Sequence, residues 1–284
     1  MMLPVRYGPS NPRRHKPKLG QNFLISPTAP RAIVDALGDL SQATVLEIGP
    51  GRGVLTTLLA ARARQLIAVE LDPALVAGLE ASNAEVICQD ILQLDLTQLA
   101  TQRGVRLQVI GNLPYYISSP IMMHLFAHSG VIDRAVLMTQ REVAERIVAP
   151  PGSSAYGLLS ATTQMYASVE QLFTLPPEAF APVPEVYSTV IRLTMRSRFA
   201  ELGVEPAGFL RFLRQIFAQK RKTLVNNLRA SGFSPEVVSA AFPQCGVDFQ
   251  VRAEALSLEA MACLFRAMAS SREGSCTPLK PKTA

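Results

Sequence analysis

The chain has 284 residues, 48% of them hydrophobic, and a formal net charge of +6. That length suits a large domain plus a smaller one, with enough apolar residues for a sizeable core. No apolar run reaches the roughly 18 residues of a membrane span, and the Pro- and Arg-rich start lacks the apolar centre of a signal peptide.

Cys88, Cys245, Cys263 and Cys276 stand far apart with no C-x-x-C pair. That spacing argues against a metal ribbon or a disulfide framework and for a reducing cytoplasm. The charge is unevenly spread. Residues 1–34 hold six basic residues and no acid, and residues 206–234 repeat that balance. The stretch 35–205 carries 11 basic and 17 acidic residues, and 235–284 is balanced. Two basic surfaces on a mildly acidic body are the footprint of a nucleic-acid binder. A solvated face plus a disordered tail is the plainer alternative.

In chain order, residues 1–19 read as a flexible basic arm. Gly20-Gln21-Asn22-Phe23-Leu24 follows, with Phe23 and Leu24 as apolar anchors, then a helix over about 28–38. Gln21 and Asn22 are either functional or an ordinary capping segment. Thr44 to Ile48 reads as a strand running into Gly49-Pro50-Gly51-Arg52-Gly53 and an apolar helix from Val54 to Ala63. Strand, glycine turn and helix form a nucleotide-binding opening. The spacing is G-x-G-x-G, and Val54 stands where a dinucleotide fold needs its third glycine. That suits a ligand with a carboxylate and no phosphate.

Three further strands are expected: Leu66 to Val69 ending at Glu70, Glu85 to Cys88 ending near Asp90, and Leu107 to Ile110 ending at Asn112. The intervals allow one helix per crossover, so the strands should lie parallel with their polar ends on one edge. Gly111 is expected to permit a sharp exit from the last of them. Pro114 stiffens the turn Asn112-Leu113-Pro114-Tyr115-Tyr116, which could hold a planar, amine-bearing ring. Ala135 to Met138, residues 169–175 and Ser188 to Leu193 continue the sheet, with helices near 118–128, 140–148 and 156–167. The proline-rich link from Phe180 to Ser188 reads as a stiff loop that either presents Phe180 or buries it.

Past a boundary near 198–206 the pattern turns helical. Phe209, Phe212, Leu213, Ile216 and Phe217 form an apolar stripe, with Arg211 and Arg214 off it. Lys220-Arg221-Lys222 makes a basic knob, and helices fit 234–241 and 257–268. Neither a P-loop nor a G-x-S-x-G elbow is present. His124 and His128 lack an acid to complete a zinc site, so no metal is expected.

Together, Gly20-Gln21-Asn22-Phe23-Leu24, Glu47-Ile48-Gly49-Pro50-Gly51-Arg52-Gly53, Glu70-Leu71-Asp72, Asn112-Leu113-Pro114-Tyr115 and Phe180-x-Pro182-x-Pro184-x-Val186-x-Ser188 resemble the ribosomal RNA adenine N6-dimethyltransferases. Lys220-Arg221-Lys222-Thr223-Leu224 and Arg252-Ala253-Glu254-x-Leu256 look like the KsgA branch. Tyr116 and Lys220 depart from the residues common there. The resemblance implies an α/β protein: a Rossmann-like class I methyltransferase sheet with helices on both faces, plus a small all-α C-terminal domain. It implies an arm over 1–19, a catalytic domain over 20–200, a helical RNA-binding domain over 201–270 and a disordered tail over 271–284.

The implied methyl donor is S-adenosylmethionine, bound by Asn22, Leu24, Gly49, Gly51, Glu70, Asp90 and Asn112. Glu70 would take the ribose hydroxyls and Asp90 the adenine amine. Asn112, Leu113, Pro114, Tyr115 and Phe180 would form the catalytic group. Lys16, Lys18, Arg214, Lys220, Arg221 and Lys222 would bind RNA. The implied substrate is a pair of adjacent adenosines in the 3′-terminal hairpin of 16S rRNA, within the immature 30S subunit, for a monomeric cytoplasmic enzyme.

The chemistry is consistent with that implication. An adenine amine is a poor nucleophile because its lone pair is delocalised. Accepting its two N–H bonds on the Asn112 side chain and the Pro114 carbonyl would free that pair. Positioning can supply about 7–11 kcal/mol. The base must leave its stack, and Tyr115 and Phe180 would sandwich it, at about 1–3 kcal/mol per stacked base. Three alternatives are a large-subunit methylase of the antibiotic-resistance type, a non-catalytic assembly factor and a nicotinamide oxidoreductase.

Overall fold

The computed structural model describes residues 22–79 and 83–273. The chain begins with β1 (Phe23–Leu24), α1 (Ala29–Asp35), β2 (Thr44–Ile48), α2 (Val54–Ala60), β3 (Gln65–Glu70), α3 (Pro73–Leu79) and β4 (Glu85–Cys88). It continues through α4 (Leu96–Arg103), β5 (Leu107–Asn112), α5 (Ser118–Ala127), β6 (Ile132–Gln140), α6 (Arg141–Val148) and α7 (Leu158–Tyr166). β7 (Ala167–Leu175), β8 (Phe180–Ala181) and β9 (Ser188–Met195) complete the strands. Four helices follow: α8 (Pro206–Ile216), α9 (Leu224–Ala230), α10 (Pro235–Gln244) and α11 (Leu258–Glu273). The expected Rossmann-like sheet and helical C-terminal region are both present.

Seven strands form the main sheet in the order β4-β3-β2-β5-β6-β9-β7. β2 through β6 are parallel, and β9 runs antiparallel to both β6 and β7. Side-chain alternation sorts the core into two layers. Leu46, Ile67 and Val109 pack on one face with Leu96, Leu99, Ile121 and Leu125 of α4 and α5. Val45, Leu66 and Ile110 pack on the other with Ile33 and Val34 of α1 and Leu55 and Leu59 of α2. From β2 the chain builds outward to β4 and then returns to β5 on the opposite side of β2. That reversal opens a crevice at the carboxyl ends of β2 and β5, the place where such sheets bind ligands.

The exit expected at Gly111 is corrected. β5 continues through Gly111 and Asn112, which pair with Leu137 and Met138 of β6. The glycine serves close approach instead. A Cβ there would lie 2.9 Å from the Ile48 carbonyl oxygen and 3.1 Å from the Ile48 Cβ. The chain turns only after Asn112, through Pro114 and a short 3₁₀ turn over Tyr115–Ile117.

Phe180 is also corrected. It pairs across β8 with Leu24 of β1, and its side chain is fully buried among Leu24, Met138 and Val190. It anchors the N-terminal strand and presents no ring to solvent.

In the helical region Phe209, Phe212, Leu213 and Ile216 are buried as the apolar stripe requires. Their core is continuous with Tyr156, Ala161 and Met165. Buried Asn227 donates Nδ2 to the carbonyls of Ile216 and Gln219, at 2.8 and 3.2 Å, and so ties down the loop that carries the basic knob. Cys245 and Cys263 form a disulfide with their Cα atoms 5.8 Å apart, where none was expected. Packing of α10 on α11 makes that pairing, and sequence spacing alone does not show it. α11 runs to Glu273, so residues 271–273 are helical and not tail. The arm over 1–19, including Lys16 and Lys18, and residues 274–284 lie outside the described residues.

Gly111→Ala should destabilise the protein by about 1–3 kcal/mol, the usual range for overpacking. The readout is the urea midpoint at constant m. An unchanged midpoint would mean that β2 yields freely at Ile48.

Candidate active site

The ends of β2, β3, β4 and β5, with β1 above them, surround a cleft that is partly open to solvent. Asn22, Leu24, Gly49, Gly51, Glu70, Asp90 and Asn112 all line it, as do Leu113, Pro114 and Tyr115. Phe180 does not, for the reason given above.

The glycine loop lies tight beneath β1. Gly51 has a φ of +59°, and a Cβ there would meet the Phe23 ring at 3.2 Å. The Arg52 guanidinium stands 4.5 Å from the same ring's centroid, a cation–π contact. Side-chain bulk at Gly51 would therefore push Phe23 and β1 off the cleft.

Three carboxylates face this cleft. Glu70 is buried, and its Oε1 accepts from the N–H groups of Leu71 and Asp72 at 2.9 and 3.0 Å. Its Oε2 accepts from Gly51 N–H at 3.1 Å. Of four lone-pair positions three are engaged, which leaves one on Oε2 for a ligand hydroxyl. Asp90 caps the short 3₁₀ turn after β4 by accepting Leu92 N–H on Oδ1 at 2.9 Å. Its Oδ2 has no hydrogen bond from any described residue.

The third is Glu47, which sequence reasoning passed over. It is 1% exposed, lines the cleft, and its Oε2 has no hydrogen-bond partner among the described residues. Burial, opposed by Thr56 and reinforced by the nearby Glu70 charge, pushes its carboxyl up to about 7. The signal was available, since an acid inside Val45-Leu46-Glu47-Ile48 has no packing reason to be there. A cleft floored by Glu47, Glu70 and Asp90 fits a cationic ligand with ribose hydroxyls and an exocyclic amine.

Asn112 closes the cleft from β5. Its Nδ2 donates to the Asn22 carbonyl at 2.9 Å, which leaves the side-chain oxygen as the free acceptor. Pro114 is corrected as an acceptor. Its carbonyl already accepts from Ile117 N–H at 3.1 Å and from the Ser118 hydroxyl at 3.0 Å, because the 3₁₀ turn and the start of α5 are built on it. The carbonyl of Leu113 receives no hydrogen bond from any described residue, and the Leu113 N–H is fixed to the Met138 carbonyl at 3.0 Å. The Tyr115 hydroxyl lies 2.6 Å from Ser188 Oγ, so the ring is held from its far end.

Arg214, Lys220, Arg221 and Lys222 are exposed on α8 and the α8–α9 loop, away from the cleft wall. Lys220 Nζ donates to the Ser154 carbonyl at 2.7 Å, which gives it a structural tie in addition to its charge. Among the described residues no group of three or more His, Cys, Asp or Glu is placed to hold a metal ion.

Residues 13–270 match the family model described as ribosomal RNA adenine dimethylase. The chain belongs to that family. A relative from Acidobacterium capsulatum, named ribosomal RNA small subunit methyltransferase A, is 56% identical over 260 residues, covering 90% of this chain and 92% of its own. One of the same name from Koribacter versatilis is 48% identical, covering 88% of this chain and 93% of its own. Among solved structures, the 23S rRNA methyltransferase ErmE superposes with a TM-score of 0.67 at 26% identity, covering 87% of this chain and all of that one. A dimethyladenosine transferase from Plasmodium falciparum superposes at 0.71 with 24% identity over 87% and 98% of the two chains, a likeness of fold. The protein is an rRNA adenine dimethyltransferase, and its methyl donor is S-adenosylmethionine.

Glu47 yields a prediction with a definite sign. Its carboxyl sits near 7 in the folded protein against an ordinary value of 4.5. The folded state therefore binds more protons between those values, so this residue's contribution to stability falls as pH rises through that window. Glu47→Gln removes the loss. In the ligand-free protein its stability advantage should grow from pH 4.5 to 7 and level off above, at up to roughly 3 kcal/mol. A difference that stays flat with pH would show Glu47 to be ionised throughout.

Proposed function

We propose that this enzyme dimethylates the N6 amines of two adjacent adenosines in the 3′-terminal hairpin of 16S rRNA, within an immature 30S subunit. The small-subunit names of its relatives support that target. The observation that carries the catalytic assignment is the locked Asn112 amide, whose oxygen is free in a cleft floored by carboxylates. A cytoplasmic monomer completes the reading. Among the described residues no helix is long and apolar enough to cross a membrane.

Asn22, Leu24, Gly49, Gly51, Glu70, Asp90 and Asn112 hold the donor, with Glu70 on a ribose hydroxyl and Asp90 on the adenine amine. With the donor bound, the unpartnered Glu47 carboxyl would ionise more readily and favour the donor's positive charge. When bound, S-adenosylmethionine supplies an electrophilic methyl group. Asn112 Oδ1 and the Leu113 carbonyl accept the two N–H bonds of the target amine, in place of the engaged Pro114 carbonyl. That grip draws the nitrogen toward a tetrahedral shape and takes its lone pair out of conjugation with the ring. Tyr115 stacks on the base, with its ring fixed through Ser188. The methylated nitrogen sheds its proton to water, so no strong base is needed. Residues 20–200 carry this chemistry. Residues 201–270 hold RNA phosphates through Arg214, Lys220, Arg221 and Lys222, assisted by Lys16 and Lys18 of the arm.

Asn112→Ala should lower methyl transfer at least about a hundredfold, the usual effect of losing one positioned polar group, while RNA affinity stays within about twofold of wild type. Joint reversal of Arg214, Arg221 and Lys222 should do the opposite. RNA affinity should fall, and the slope of log affinity against log salt should flatten by about 2, near 0.7–0.9 per lost phosphate contact. Unchanged affinity would refute the RNA-binding assignment. Mapping modified nucleotides in small and large subunits treated with protein and donor tests the target. Modification of the large subunit alone would favour the ErmE-like reading, and none at all the assembly factor.

A further inference from the structure

Tyr116 takes no part in the chemistry above. It lines the cleft yet is 59% exposed, and no described residue hydrogen-bonds to it, stacks on it or places a cation over it. Its backbone is held rigidly between Pro114 and α5. Only its two side-chain torsions remain free, so immobilising the ring costs little entropy.

The direction of the ring decides its use. Tyr115 and Tyr116 are successive residues of a 3₁₀ turn, and with three residues per turn their side chains point about 120° apart. Tyr115 turns toward Ser188 and is half-buried, whereas Tyr116 stands at the mouth. The two rings cannot lie on one base. Other exposed apolar side chains ring the same mouth: Val54 and Leu71 line the cleft, at 37% and 47% exposure. Val183 and Tyr187 are exposed on the connection whose ends are tied to the cleft walls, Ala181 beside Phe23 and Ser188 to Tyr115.

A base that leaves its stack to enter a cleft strips its neighbour of a stacking partner. An exposed ring at the exit restores one. Resting on the function proposed above, we infer that Tyr116 is the stacking platform for the base flanking the target adenine.

The test pairs Tyr116→Ala and Tyr116→Phe with small subunits reconstituted on 16S rRNA that carries an abasic site on either side of the target. Tyr116→Ala should weaken RNA binding by about 5- to 150-fold, the equivalent of one lost stack. Tyr116→Phe should match wild type, and both variants should bind S-adenosylmethionine normally, which shows that they fold. At one flank the abasic substitution should weaken wild type as much as Tyr116→Ala does, with no further loss in that variant. Multiplicative losses at both flanks, or unchanged affinity of Tyr116→Ala, would overturn the inference while leaving methylation of the intact hairpin in place. A wild-type protein that leaves that hairpin unmethylated in small subunits would remove the substrate reading and this inference with it.

Discussion

The hydrogen bond from Asn112 Nδ2 to the Asn22 carbonyl joins residues 90 positions apart. Its net worth in stability is about 1 kcal/mol; its larger effect is on the orientation of the amide. An amide carries donors on one side and an acceptor on the other. Fixing the donor side to β1 leaves the oxygen facing the cleft. The bond holds only if both of its anchors hold. Asn112 is placed by the tight seating of Gly111 against Ile48. Asn22 is placed by a two-residue strand whose partner, β8, is pinned by the buried Phe180. Phe180 thus supports the site from the core.

The repeating part of the fold was legible because the same physics recurs. An apolar run ends in a polar residue wherever a strand leaves the core, so Gly49, Glu70, Asp90 and Asn112 marked four strand ends and the edge they share. Local signals failed where the deciding contact comes from far along the chain. The need for Gly111 lies in Ile48, 63 positions earlier in a neighbouring strand. The carbonyl of Pro114 is consumed by a turn whose form depends on where α5 begins. Phe180 and the Cys245–Cys263 pair are set by packing between elements that no spacing rule relates. Glu47 is the different case. Its anomaly is legible in the sequence, as a carboxylate inside an otherwise apolar strand.

The two ligands of this enzyme carry opposite charge, and the structure keeps its cleft carboxylates apart from its exposed basic side chains. Glu47 and Glu70 are 1% and 3% exposed, at the bottom of a cleft. There the protein shields them from bulk water, so charge on either acts strongly on whatever enters. Three backbone N–H groups already compensate Glu70, so part of its charge is balanced before a ligand arrives. The basic side chains of α8 and the α8–α9 loop have the opposite setting. Arg214, Arg221 and Lys222 are exposed, and none of them pairs with a described carboxylate. Exposed charges act over about a Debye length, roughly 8–10 Å at ordinary salt, and gather a polyanion before close contact. Reversing the arrangement would fail on both counts. Surface carboxylates at the mouth would repel the phosphates that must pass it. Buried arginines beneath the glycine loop would repel a sulfonium. On the function proposed, the small helical region is therefore where the phosphate-holding charge belongs. The sheet, with its strand ends and one rigid turn, is left free to present acceptors to a cation and an amine.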